Sequence, residues 1–166
     1  MFIGELSHTE LQFLEKALSE NKGMTQAEYA ELESRHPYAV MRDDNALILS
    51  DMTHYGFHNE ELNKFFMTKF GGEDLQLDFF YKLDYKAGDY TNPHLDKYFV
   101  LQTTLLLLTE DFTGGELYVD KVNVNLNKKG MYINFAGNSQ IHSVTEVTSG
   151  VRSVLVVMFN KKDSLI

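Results

Sequence analysis

The stretch LQLDFFYKLDYK, residues 75–86, changes the period of the chain. Leu75, Leu77, Phe79, Tyr81, Leu83 and Tyr85 fall on alternate positions, and the residues between them are polar apart from Phe80. Successive side chains of a strand leave opposite faces, so this alternation predicts a long strand with one apolar face. The segments before it read at helical period, and those after it read as strands.

Upstream, Ser7 with Glu10 and Thr25 with Glu28 fit the capping box, in which a hydroxyl takes an orphan amide and a carboxylate reaches back. The first predicted helix carries Leu11, Leu14 and Leu18 and stops near residues 21–23. The second runs to about Arg35, before Pro37, and the third, HNEELNKFFMTKF (58–70), ends at Gly71 and Gly72. Downstream, strands are predicted at 99–109, 115–119, 122–126, 130–135, 142–147 and 151–159. Turns fall at DFTGG, NKKG, AGNS and TSG.

This is a mostly β chain with N-terminal helices (α+β), expected as a sandwich or jelly roll with the helices covering one sheet. The apolar runs at 105–108 and 154–159 suit strands covered on both faces. A single domain over 1–166 is expected, with a helical block at about 1–70 and a β core at about 75–160, because 166 residues are few for two cores.

Composition narrows the chemistry. There is no Cys, which excludes a disulfide framework, a thiolate metal site and a cysteine nucleophile. A net charge of -9 argues against phosphate-backbone binding, so no nucleic-acid partner is expected. The first residues lack a signal pattern, and no apolar run approaches the roughly 20 residues that span a bilayer, so a cytoplasmic protein without a membrane partner is expected.

In NPHLD (92–96), His94 and Asp96 are spaced to project from one face of an extended segment. An H-x-D triplet alone is a weak signal, since chance produces it often. His142, opening a predicted strand after GNSQI, is the best candidate for a third ligand, and two His with one carboxylate are the set that non-haem iron oxygenases use. Arg152 decides between the readings. It stands in the apolar strand VRSVLVVMF, sharing a face with Val154, Val156 and Met158, and its burial is costly unless it meets an anion. The competing reading makes it an edge-strand solubility residue.

From about Phe79 to Phe159 the chain resembles the Fe(II)- and 2-oxoglutarate-dependent dioxygenases of the prolyl 4-hydroxylase type. The resemblance is carried by YKAGDYTNPHLDKYF, LLLLTEDFTGGELYV and KKGMYINFAGNSQIHSVTEVTSGVRSVLVVMF. It implies a double-stranded β-helix (jelly roll) and Fe(II) held by His94, Asp96 and His142. It further implies Arg152 paired with the distal carboxylate of 2-oxoglutarate and Tyr85 donating to the same group, the alternative for Tyr85 being a core tyrosine. O2 is then the oxidant and ascorbate a candidate reductant. The implied reaction is hydroxylation of a C–H bond with release of succinate and CO2.

The same resemblance points to a peptidyl proline or similar residue as substrate, or alternatively to a free amino acid or other small molecule. Two departures bear on this. Met158 stands where oxygen-sensing relatives carry a Trp, and Leu107 where they carry a second Tyr. Substrate contacts are expected from the loop 86–93, with Asp89, Tyr90 and Asn92, and from Lys97, Tyr98 and Met158. A cupin-like metal protein, a nucleic-acid demethylase and a non-catalytic module are the rival readings. Gly114 and Gly115 are expected to serve the backbone, Lys128 and Lys129 to form a solvated turn, and His54 and His58 to lie on the surface.

Overall fold

A computed structural model describes residues 1–21, 23–25, 48–49, 51–54 and 60–162. In chain order the elements are β1 (Phe2–Glu5), α1 (His8–Glu20), β2 (Met24–Thr25), β3 (Ile48–Leu49), β4 (Asp51–His54) and α2 (Glu60–Phe70). There follow β5 (Leu75–Tyr85), β6 (Tyr90–His94), β7 (Gln102–Leu107), β8 (Phe112–Gly114) and β9 (Leu117–Val119). The chain closes with β10 (Val122–Asn123), β11 (Met131–Phe135), β12 (His142–Val144), β13 (Val147–Gly150) and β14 (Arg152–Lys161).

A seven-stranded sheet has the order β1-β11-β7-β14-β5-β4-β2, and a five-stranded sheet the order β10-β9-β12-β6-β3. Alternation divides the large sheet between two cores. Leu105, Leu107, Val154, Val156 and Met158 pack with Leu117, Val119 and Val144 of the smaller sheet. Leu106, Leu155, Val157 and Phe159 turn the other way, onto Leu14, Leu62, Phe66 and Phe70 of the helices. The runs 105–108 and 154–159 are apolar for this reason: both faces of β7 and β14 are covered. Each fully buried Leu or Phe here contributes about 2 kcal/mol through removal of apolar surface from water.

The capping box at Ser7 forms as expected, with the Glu10 amide donating to Ser7 Oγ at 3.1 Å and the Ser7 amide to Glu10 Oε1 at 2.9 Å. Glu10 also meets Lys69 of α2 at 3.0 Å, which ties the two helices together. The helix predicted between Thr25 and Arg35 lies outside the described residues apart from Thr25, which closes β2. His58 lies outside them too. The third predicted helix is described from Glu60.

Three local expectations are corrected. First, the alternation of β5 does not run unbroken: Phe79 opposes Met158 and Leu77 opposes Phe159, leaving Asp78 as an extra residue. The bulge flips the face, so Leu75 and Leu77 join the helical core while Tyr81, Leu83 and Tyr85 join the inter-sheet core. Second, the predicted turns at DFTGG and TSG pair with each other as β8 and β13. Positive φ at Gly114 (70°) and Gly150 (74°) lets these short strands bend, and Thr113 Oγ1 bonds Thr148 Oγ1 at 2.7 Å across them. Third, the predicted loop 86–93 is a tight turn followed by β6. Pro93, with no amide to give, sits where the β6–β12 register shifts between its Thr91 and His94 pairings.

Candidate metal centre and anion pocket

β6 and β12 are antiparallel, and their register sets His142 opposite His94. The two imidazoles come within 4.2 Å, centroid to centroid. Asp96 lies just beyond the end of β6, its amide donating to Gly137 O at 2.9 Å. Its Oδ1 stands 3.7 Å from His94 Nε2 and 3.4 Å from His142 Nε2. One donor atom from each of His94, Asp96 and His142 falls within 4.8 Å of the others, and this is the group among the described residues with that property. Two imidazoles and one carboxylate on one side leave room for further ligands, as an open iron site requires.

Both histidines are held by backbone carbonyls. His94 Nδ1 lies 2.7 Å from Asn92 O, and His142 Nδ1 lies 2.9 Å from Gln140 O. A carbonyl accepts only, so Nδ1 carries the hydrogen and Nε2 keeps its lone pair toward the cluster, the arrangement that orients metal-binding imidazoles. Burial pushes the Asp96 carboxyl up, but His142 and His94, where protonated, together with the Thr103 hydroxyl, outweigh it and hold it below the usual carboxylate range.

The three residues open into a cavity of about 420 Å³, its mouth included. Tyr81, Leu83, Leu105, Val154, Val156 and Met158 make most of its wall apolar, and Arg152 is part of the lining. Arg152 is 1% exposed, and Nε, Nη1 and Nη2 all lack a hydrogen-bond partner. Its guanidinium carbon lies 5.2 Å from the centroid of the Tyr85 ring, whose hydroxyl meets Thr91 Oγ1 at 2.7 Å. Burial pushes the guanidinium below its ordinary value, with Tyr85 acting the other way. A buried planar cation with its donors unspent can receive an anion.

Gly115 does more than relax a turn. It sits at φ 60°, and a Cβ there would come within 2.8 Å of Arg152 Cδ, so the glycine makes room for the guanidinium stem. Of the residues expected to touch substrate, Met158 and the metal cluster line the same cavity. Tyr98 is 87% exposed within a turn that the Val100 amide closes by donating to Lys97 O. Asp89 accepts from the Lys86 amide at 2.8 Å and shapes the turn before β6, while Tyr90 pairs with Leu49 of β3. Asn92 serves His94 through its carbonyl. Leu105 rather than Leu107 borders the cavity, although Leu107 packs in the same core.

Three residues escaped the sequence reading. Thr91, Thr103 and Gly137 all touch the site residues, Thr103 Oγ1 donating to Asp96 Oδ2 at 2.5 Å. Alternation offered a signal for Thr103, which shares a face with Leu105 in an apolar strand. Gly137 had none, since its proximity to Asp96 arises only on folding. His54, expected beside a helix, ends a strand opposite Tyr81.

Fold and site together define a double-sheet protein in which three side chains that could hold a metal ion and a buried arginine line one cavity. Among solved structures it is similar to a viral collagen prolyl hydroxylase from Paramecium bursaria Chlorella virus-1 in complex with 2-oxoglutarate. That similarity has a TM-score of 0.65 at 16% identity, covering 96% of this chain and 96% of that one. A prolyl hydroxylase from Trichoplax adhaerens, bound to a hypoxia inducible factor peptide fragment, gives a TM-score of 0.62 at 13% identity over 97% of this chain and 83% of that one. A Pseudomonas putida prolyl-4-hydroxylase gives 0.59 at 16% identity over 97% and 92%. The fold is therefore the one these hydroxylases share. No family model and no curated protein matches the sequence. Among the described residues no helix is long and apolar enough to cross a membrane.

Proposed function

We propose that the chain is a single-domain Fe(II)- and 2-oxoglutarate-dependent hydroxylase of the prolyl 4-hydroxylase type, its two sheets forming a double-stranded β-helix. The observation that carries this reading is Arg152: a guanidinium with three unpartnered nitrogens, buried in the same cavity as His94, Asp96 and His142. A metal cluster alone would fit a cupin-like protein equally well. A buried anion receptor beside it calls for a carboxylate that reaches both.

The shared cavity suits such a co-substrate: a five-carbon dicarboxylate could chelate at the cluster through one end and meet Arg152 through the other, since His94, Asp96, His142 and Arg152 all line it. Iron, 2-oxoglutarate and O2 together supply the oxidation, one oxygen atom leaving in succinate with loss of CO2 and the other entering a substrate C–H bond.

The chain's own residues do the rest. His94, Asp96 and His142 would hold the iron on one side, with Nδ1–H of each imidazole anchored so that Nε2 faces the ion. Arg152 would fix the distal carboxylate through paired charge-assisted bonds, and Tyr85 would add its hydroxyl. The apolar wall from Leu83, Leu105, Val154 and Val156 excludes water, which strengthens every charge interaction inside it. Asp96 keeps a carboxylate in the ligand set, which favours hydroxylation over halogenation.

A peptidyl proline or a similar residue is the substrate class we favour. One structural relative holds a hypoxia inducible factor peptide and another is named a collagen hydroxylase. Tyr98, exposed two residues after Asp96, suits a peptide more than a small free molecule. Anaerobic titration of Fe(II) with 2-oxoglutarate tests the centre: a weak visible charge-transfer band is expected, lost in His142→Ala and weakened in Arg152→Ala. Succinate release would then be measured with proline-containing peptides and with free amino acids. Absence of the band in the unmodified protein would sink the oxygenase reading and favour the cupin-like one.

A further inference from the structure

A carboxylate beside a metal can bind through one oxygen or both, and the choice sets how many positions stay open. Asp96 meets this choice with its two oxygens already in different surroundings. Oδ1 faces both histidines, at 3.7 and 3.4 Å, while Oδ2 accepts the Thr103 hydroxyl at 2.5 Å. Thr103 is 1% exposed, on β7 in register with Met158 of β14. Gly137 accepts the Asp96 amide through its carbonyl at 2.9 Å. A Cβ on Gly137 would collide with Thr103 Oγ1 and with Asp96 Oδ2 together. Its φ lies outside the left-handed region, so space and not backbone freedom asks for glycine here.

We infer that Thr103 and Gly137 form a clamp that commits Asp96 to a single-oxygen contact with the metal, making both of them positioning residues; the inference rests on the metal-centre reading above. The hydroxyl holds Oδ2 away from the ion, and the bare Cα of Gly137 lets the hydroxyl and the carboxylate approach. Outer groups of this kind orient ligands, and their loss typically costs about 10–100-fold in metal affinity. A comparator stands next in the chain. Thr104 is fully buried on the opposite face of the same strand and bonds Asn134 Oδ1 at 2.6 Å, away from the cluster.

The test uses Mn(II), whose free-ion EPR signal falls on binding and which needs no turnover. Dissociation constants and metal-free melting temperatures are measured for the unmodified chain and for T103S, T103V, G137A and T104V. The clamp predicts that T103V and G137A weaken Mn(II) binding about 10–100-fold. It also predicts that T103S binds nearly as the parent does, and that T104V loses stability without losing affinity. Should T103V and G137A melt lower yet bind Mn(II) like the parent, the contacts are packing alone and the clamp is refuted. If T103V does not fold, T103A takes its place, since it removes the hydroxyl without touching Asp96, and an affinity equal to the parent's refutes the clamp. Should the parent bind neither Mn(II) nor Fe(II), the metal centre itself falls and the clamp with it.

Discussion

Arg152 and Tyr85 are partners in register on neighbouring antiparallel strands, and the guanidinium carbon lies 5.2 Å over the centre of the tyrosine ring. The ring supplies a cation–π contact that tolerates burial of the charge without using any of its N–H donors. All three guanidinium nitrogens are left without a hydrogen-bond partner.

Replacing Arg152 separates stability from binding. A buried charge with no ionic partner costs the fold more than an apolar residue of similar length, so Arg152→Met should leave the metal-free melting temperature unchanged or raised. The same variant loses two charge-assisted bonds of about 1.5 kcal/mol each, roughly 100-fold in 2-oxoglutarate affinity. Calorimetric titration and thermal melts on one preparation check both halves. A large fall in melting temperature would show that Arg152 is structural.

Tyr85→Phe tests the hydroxyl and spares the ring. A hydrogen bond to a carboxylate is worth about 1.5 kcal/mol, so the KM for 2-oxoglutarate should rise roughly tenfold while kcat holds. An unchanged KM would leave Tyr85 as a core residue that supports Thr91.

Gly115→Ala should act on Arg152 from behind. Positive φ costs an alanine about 1 kcal/mol, and the new methyl would press on Arg152 Cδ and Val147 Cγ2, at 2.8 and 2.9 Å. We expect a lower melting temperature together with weaker 2-oxoglutarate binding. Gly114→Ala is the control, because its methyl would meet the Glu146 and Thr148 backbone instead. It should destabilise without a matching loss of affinity, and equal losses in both would refute the assignment.

Asp78, the extra residue of the β5 bulge, has its carboxyl pushed up by burial. A folded-state value above the unfolded one, about 3.9, means that folding takes up protons between the two. The stability from the protonated form is complete below the unfolded value and is lost as pH rises through the folded one. Asp78→Asn should therefore melt higher than the parent at pH 7, with the gap closing below about pH 4. Melts across pH 3–8 decide it, and a constant gap would rule out titration of Asp78 as the cause.

Local pattern carried much of this protein. Ser7 with Glu10 announced α1, the alternation through 79–85 announced the inner face of β5, and Arg152 among valines announced a charge carried on a buried strand face. These features were legible because each rests on interactions within one element, where spacing along the chain equals spacing in space. The tertiary structure alone decided the rest. Pairing of β12 with β6 brings His142 opposite His94 across nearly fifty residues, the bulge at Asp78 turns Leu75 and Leu77 to the helices, and Gly137 reaches Asp96 only through a turn that packs against it. Register and close approach between distant segments depend on which strands pair, and that is set by the packing of the whole core, not by any one stretch of it.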